Sequence, residues 1–461
     1  MAASKATPNP EESWRQARLI PTTGIGGQDE QEQRATSSLL AVMGAVPQFG
    51  RAILEHAGAP GGKIQTYTEI RFVDADAKLS IPDGAVVVSW GKTRWVCLLE
   101  VKTGGVDLRF EQVGRYLDLA RTNGFDVVLT ISNQITASPT ESPLAFEPKR
   151  LRKVTLRHLS WWQVMTEAVV EYQHRGISDP DQAWLLGELI AYLDHERAGA
   201  GGFEDMGEKW VAVRDGARQG ILKSSDLGVR DIAARWEQLV HYLALGLTQV
   251  LGRYVEPRWS RQLDQSARRD LHVHSLVGQG RLEATLRVPD AAAPIDLQAD
   301  LRTRLFTTSV ELPAPRVGKP KTRINWLLRQ VADAPDNLRI EVHYPNAKES
   351  TSSTVKEARA NPNRLLYPAD IKREPHSFRV AITKELGGKR GRGPGSFVLE
   401  AKLQTTDFYR LIVQNLRLWM PTPPKLPAAP SPSIAPVETS PEPPPFTGPE
   451  REFGELTEPA S

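Results

Sequence analysis

Three charged side chains stand at one end of a predicted β-hairpin. Asp83 lies in Ile81-Pro82-Asp83-Gly84, and Glu100 and Lys102 lie in Leu99-Glu100-Val101-Lys102-Thr103-Gly104. Both arms are apolar and β-prone, and Trp90-Gly91-Lys92-Thr93 reads as the connection. Side chains alternate along a strand, so Glu100 and Lys102 point to the same face. A three-residue loop would set Val101 opposite Asp83, and a shift of one residue would bring Glu100 or Lys102 there instead, so the turn decides the pairing. In each case two carboxylates and one ammonium converge. The second arm is apolar on both faces, as expected of a buried central strand. Charges at the end of such a strand cost free energy unless they pair with each other or with a cation. Taken singly, Pro82-Asp83-Gly84 reads as a turn, and Glu100 and Lys102 as an ion pair at a strand end. Taken together they read as a site.

Several elements must position that hairpin. A helix is predicted over 29–49, with Leu39, Met43 and Val46 as its apolar stripe and Thr36 and Glu32 in line with it. Glu32 is therefore better placed for the site than Glu30, which falls on the polar side. A second helical turn covers 51–56. A strand over 65–73 puts Ile70 and Phe72 on one face and Tyr67, Glu69 and Arg71 on the other, so Glu69 either joins the site or pairs with Arg71. After the hairpin a helix over 108–121 aligns Gln112, Tyr116 and Leu119, and Asn123-Gly124 stops it. Strands over 125–132 and 153–159 follow. Ser160 has capping-box spacing to Gln163 and opens a helix, and Pro180 opens another. The predicted order is α-β-β-β-α-β-β-α-α, an α/β fold with a mixed sheet flanked by helices.

Gly199-Ala200-Gly201-Gly202 marks a boundary. A helical connector is predicted over 203–255, with an amphipathic segment at 206–221 and a long helix at 226–251. From 256 to 420 the pattern changes to alternation, which predicts a second, β-rich domain with strands over 271–277, 281–288, 295–305, 309–312, 338–343, 378–382 and 397–403. One helix, over 323–331, interrupts them. His272 and His274 would share a strand face. Residues 301–400 carry 19 Lys and Arg against 10 Asp and Glu, although the whole chain is only +3. This basic half suits a polyanionic partner or simple solvation. Gly387 to Gly395 reads as a flexible basic loop holding Lys389, Arg390 and Arg392, residues 1–25 as a flexible lead-in, and the stretch from Pro421, with 13 prolines in 41 residues, as a disordered tail.

A single cysteine excludes intramolecular disulfides and Cys-ligated zinc or iron–sulfur centres, and Cys97 reads as buried filler. No run of about 18 apolar residues and no apolar leader occurs, so the chain is expected to be soluble, cytoplasmic and free of membrane.

The set Pro82-Asp83, Glu100-Val101-Lys102 and Gln112-Val113-Gly114-Arg115-Tyr116, with a helix carrying Glu32 before it, resembles the PD-(D/E)XK nuclease superfamily with the QxxxY helix of RecB-type members. The resemblance covers residues 26–195 and implies a restriction-endonuclease-like core. It implies that Asp83, Glu100 and the Val101 carbonyl hold Mg²⁺ (or Mn²⁺), with Glu32 as an outer ligand. It implies that Lys102 orients the attacking water and offsets transition-state charge, while Gln112 and Tyr116 position the lysine and the nucleic-acid backbone. The activity expected is metal-dependent hydrolysis of nucleic-acid phosphodiesters, DNA foremost, with the C-terminal domain gripping substrate or, like the Pro-rich tail, a protein partner. The alternative is a nucleic-acid-binding or regulatory protein, in stress response or defence, that keeps this fold without turnover. The chain lacks the cysteines of the cluster-bearing RecB-like nucleases and any GxxxxGK[ST] helicase motif.

Overall fold

The computed structural model describes residues 18–73, 79–138, 141–260, 262–391 and 393–421, without the side chains of Val73 and Leu79. Most of the predicted N-terminal lead-in (1–17), Pro139, Arg392 of the basic loop and the Pro-rich tail beyond Pro421 lie outside the described residues. Among those described, no single helix is long and apolar enough to cross a membrane.

The first half runs α1 (Gln28–Ala45), α2 (Pro47–His56), β1 (Lys63–Thr68), a short ladder of β2 (Phe72–Val73) and β3 (Leu79–Ser80), β4 (Gly84–Trp90), β5 (Thr93–Val101), α3 (Phe110–Asn123), β6 (Val127–Ser132), β7 (Thr155–Ser160), α4 (Trp161–Val169) and α5 (Pro180–Leu193). The single predicted helix over 29–49 is in fact two helices bent by 114° at Val46, because Pro47 cannot continue α1 but suits the first position of α2. The predicted strand over 65–73 stops at Thr68, where Glu69 takes φ 49° and turns the chain. Ser160 caps α4 by accepting from Gln163 N at 3.1 Å, and Asp179 caps α5.

The five strands β1-β4-β5-β6-β7 form one mixed sheet. Its β1–β4 and β4–β5 pairs are antiparallel, and its β5–β6 and β6–β7 pairs are parallel. One face packs Cys97, Leu99 and Val101 against Leu39, Met43 and Phe49 of the α1–α2 pair and Leu189 of α5. The other face packs Ala85, Leu98 and Val128 against Val113, Tyr116 and Leu117 of α3. Side-chain alternation along β5 puts Glu100 on the α3 face, in line with Leu98. Cys97 is fully buried, as a small apolar residue would be.

The second half runs α6 (Trp210–Gln219), α7 (Leu227–Leu251), β8 (Glu256–Pro257), α8 (Gln265–Gln279), β9 (Arg281–Arg287), β10 (Ile295–Asp300), β11 (Leu305–Pro313), α9 (Pro320–Gln330), β12 (Arg339–His343), β13 (Thr351–Thr354), α10 (Val355–Ala360), β14 (Ser377–Glu385) and α11 (Phe397–Leu411). Its seven strands make an antiparallel sheet in the order β13-β12-β14-β11-β10-β9-β8. Two predicted strands are helices. The stretch 271–277 lies in α8, capped by Asp264 accepting from Ala267 N at 2.8 Å, and 397–403 opens α11, capped by Ser396. His272 and His274 therefore do not share a strand face: His272 stands 3.7 Å from Glu237 on α7, while His274 is exposed.

The halves interlock around α7. Ile135, just past β6, belongs to the core that α7 shares with the seven-stranded sheet. His241 Nδ1 lies 2.6 Å from the Thr136 carbonyl, Trp259 donates to the Ala137 carbonyl, and Tyr254 donates to buried Glu167 at 2.7 Å. Arg268 joins Glu141 and Glu237, the latter fully buried.

Candidate active site at the β4–β5 hairpin end

Trp90 pairs with Thr93, which leaves Gly91-Lys92 as a two-residue turn, with Gly91 at φ 58° as the first position of a tight hairpin turn requires. Gly84 then faces Leu99, and Asp83 stands one step further out, beside Glu100. Of the registers open to the sequence, this one brings the two carboxylates together. Gly84 is obligatory here: a Cβ would lie 2.5 Å from Leu40 Cδ1 and 2.9 Å from the Tyr67 carbonyl oxygen.

Asp83 Oδ2 accepts from Val101 N at 2.7 Å, which fixes its carboxylate against the end of β5. The Asp83 carboxyl stands close enough for its charge to bear on Glu100. Glu100 is fully buried, and neither of its oxygens has an aligned protein donor. The Lys102 ammonium is 2.8 Å from Glu100 Oε1, in ion-pair contact but off the hydrogen-bonding direction. Burial, then the neighbouring Asp83 charge, push the Glu100 carboxyl up to about 8 despite Lys102. Burial also raises Asp83. A pair of this kind is satisfied by a shared proton or by a cation.

Lys102 Nζ donates to Glu32 Oε1 at 2.7 Å and to the Val101 carbonyl at 3.1 Å, and its partners hold it firmly protonated. Its backbone is fixed from three sides. Lys102 N donates to Ile131 O at 2.8 Å, and Trp161 Nε1 donates to Lys102 O at 2.8 Å. Gln28 Nε2 donates to Thr103 O at 2.8 Å, and Thr103 Oγ1 donates to Gln31 at 3.0 Å. Asn133 ties the next residue, Gly104, to Gly199. Gln28, Gln31, Thr103, Asn133 and Trp161 were not singled out from sequence. Gln28, Gln31 and Glu32 share one face of α1 at i, i+3 and i+4, which is the signal that carries them.

The remaining sequence candidates separate. Glu32 joins the cluster through Lys102, and burial raises its carboxyl. Glu30 instead accepts from Gly26 N and pairs with Arg34 at the mouth of α1, outside the cluster. Glu69 donates its backbone N–H to Asp83 O, but its side chain is exposed and forms no ion pair with Arg71. Tyr116 donates to Ile81 O at 2.9 Å and accepts from Gln112 at 3.3 Å. These two residues hold the segment leading into Asp83 and make no bond to Lys102.

Among the described residues, no group of three or more His, Cys, Asp and Glu is placed to hold a metal ion. The donors that fit a divalent cation are the Asp83–Glu100 pair and the Val101 carbonyl, with the rest of the shell left to water and substrate. Mg²⁺ commonly takes such a small set of carboxylates. A cleft of about 1110 Å³ opens beyond the strand ends, bordered by Gly104–Asp107, Asn133–Ala137, Trp162 and Lys402, but Asp83, Glu100 and Lys102 do not line it. Against models of known families and against curated proteins, the chain matches none.

Proposed function

We propose that the chain is a Mg²⁺- or Mn²⁺-dependent nuclease of PD-(D/E)XK type that hydrolyses nucleic-acid phosphodiesters, DNA foremost, and acts in the cytoplasm. The observation that carries this reading is the buried Glu100 carboxyl beside Asp83, with no aligned protein donor and an ammonium at 2.8 Å. Asp83, Glu100 and the Val101 carbonyl would hold the cation. When bound, it supplies a water of lowered pKa and polarises the scissile phosphate. Lys102, kept charged by Glu32 and Glu100, faces the same space and offsets negative charge as it builds on the phosphoryl oxygens. Glu32 positions that ammonium, and Tyr116 with Gln112 keeps the Asp83 segment against β5.

One observation favours the second reading, a nucleic-acid-binding protein without turnover: Lys102 Nζ already contacts Glu100 and the Val101 carbonyl, two of the three groups assigned to the cation, as well as Glu32. Cleavage of labelled single- and double-stranded DNA in Mg²⁺ separates the two. Turnover by the wild type that falls about 100-fold in Lys102→Ala is expected, since one charge-stabilising group is worth roughly that. Equal behaviour of the two proteins refutes the nuclease reading.

A further inference from the structure

An exposed aromatic stack stands at the start of α3, the helix that also carries Gln112 and Tyr116. Phe110, the first residue of α3, lies two residues from Gln112 and stacks on Phe146 from the loop between β6 and β7, centroids 4.3 Å apart and planes 11° apart. Phe146 covers one face of the Phe110 ring, yet Phe110 remains 45% exposed, so its outer face is open. The platform is built rather than incidental. Arg150, in the same loop as Phe146, lies 5.6 Å from that ring's centroid, donates to Gly114 O at 2.9 Å and pairs with Asp118, clamping the loop onto α3. Gly114 makes room for the clamp, since a Cβ there would meet the Arg150 guanidinium at 3.0 Å.

Basic residues crowd the two segments that carry the stack. Segments 109–121 and 144–157 hold eight Arg and Lys against three Asp and Glu. Arg109, Arg115, Lys149, Arg152 and Lys153 are exposed, and none forms an ion pair with any described residue. An open aromatic face within uncompensated positive charge matches the chemistry of an unpaired nucleotide: a base for the ring and phosphates for the cations. In a duplex the base faces are covered by their neighbours and cannot reach Phe110.

We propose that the Phe110–Phe146 stack and the basic residues of its two segments bind a single-stranded nucleic-acid segment, one base lying on Phe110. That the bound strand is substrate rests on the nuclease reading; the binding surface does not.

Anisotropy of labelled oligo(dT) and oligo(rU) with the full chain in EDTA tests it. Phe110→Ala is expected to weaken single-strand binding about tenfold, with Phe110→Tyr restoring it and a blunt duplex hardly affected. Arg152→Glu with Lys153→Glu is expected to weaken binding and flatten its salt dependence. Tighter binding of either oligonucleotide supports the platform and names its strand. Unchanged binding by Phe110→Ala, an equal loss for duplex and single strand, or displacement of oligo(dT) by poly-glutamate as readily as by unlabelled oligo(dT) would overturn it. A chain that binds through Phe110 but does not cut in Mg²⁺ sinks the nuclease reading and leaves the platform standing.

Discussion

Glu100→Gln isolates the charge state of the candidate site. The Glu100 carboxyl titrates near its ordinary 4.5 in the unfolded chain and is pushed up to about 8 in the fold, by burial first and the Asp83 charge second. Between those values the native state holds a proton that the unfolded chain has lost, so stability falls as pH rises through that window. From pH 5 to pH 7 the window spans two units at about 1.4 kcal/mol each, roughly 3 kcal/mol for this one group. Glutamine keeps the shape and cannot titrate. Urea unfolding of both proteins in EDTA at pH 5, 6, 7 and 8 should show the wild type losing ground to the variant steadily with pH. Titrations remote from the Asp83–Glu100 pair cancel in that difference. A difference that stays flat across the series refutes the assignment of a shared proton to the Asp83–Glu100 pair. With Mg²⁺ at ten times its dissociation constant, the wild type at pH 8 should gain about 1.4 kcal/mol and the variant little. The gain should shrink at pH 5, where the cation competes with the proton, and a gain independent of Glu100 refutes the metal assignment.

Two further substitutions probe the support of the site. Tyr116→Phe removes the bond to Ile81 O and leaves that carbonyl without this donor; chemical denaturation should report a loss of about 1 kcal/mol, and no loss would mean the tyrosine does not hold the Asp83 segment. Gly84→Ala drives a methyl into Leu40 and the Tyr67 carbonyl; it should cost roughly 1–3 kcal/mol in the same assay, and a neutral result would mean that β1 and α1 are not packed this closely on β4.

The site was legible in the sequence because its signals are local. An apolar strand that ends in Glu-x-Lys, a Pro-Asp-Gly before its partner, and a helix carrying Gln and Tyr four residues apart each declare themselves within a few residues. The register was not legible, since it turned on whether the hairpin loop held two residues or three, and only the Trp90–Thr93 pair decides that. Leu271-His272-Val273-His274-Ser275 alternates as a strand does, yet lies within α8. Its buried positions, Val273 and Leu276, have helical spacing, and Asp264 supplies a cap. The stretch at 397–403 alternates Phe397, Leu399, Ala401 and Leu403 with Glu400 and Lys402 as a strand does, but in α11 Phe397 packs between Trp210 and Phe306, and Ser396 supplies the cap. Gln28 and Gln31 were missed for another reason: their partners, Thr103 and Arg197, lie 75 and 166 residues away. Only the face that the two glutamines share with Glu32 on α1 is local; the partners are not.

The interlock around α7 means that the glycine stretch at 199–202 is a seam in the chain and not in the fold. A protein cut there would bare the Thr136 and Ala137 carbonyls, put Ile135 into water and strip Glu141 and Glu167 of Arg268 and Tyr254. The segment so exposed begins at Asn133, two residues beyond the Ile131 carbonyl that receives Lys102 N and one beyond the end of β6. The first half, however complete its own sheet, therefore shares its buried packing with α7 and is not a separable unit.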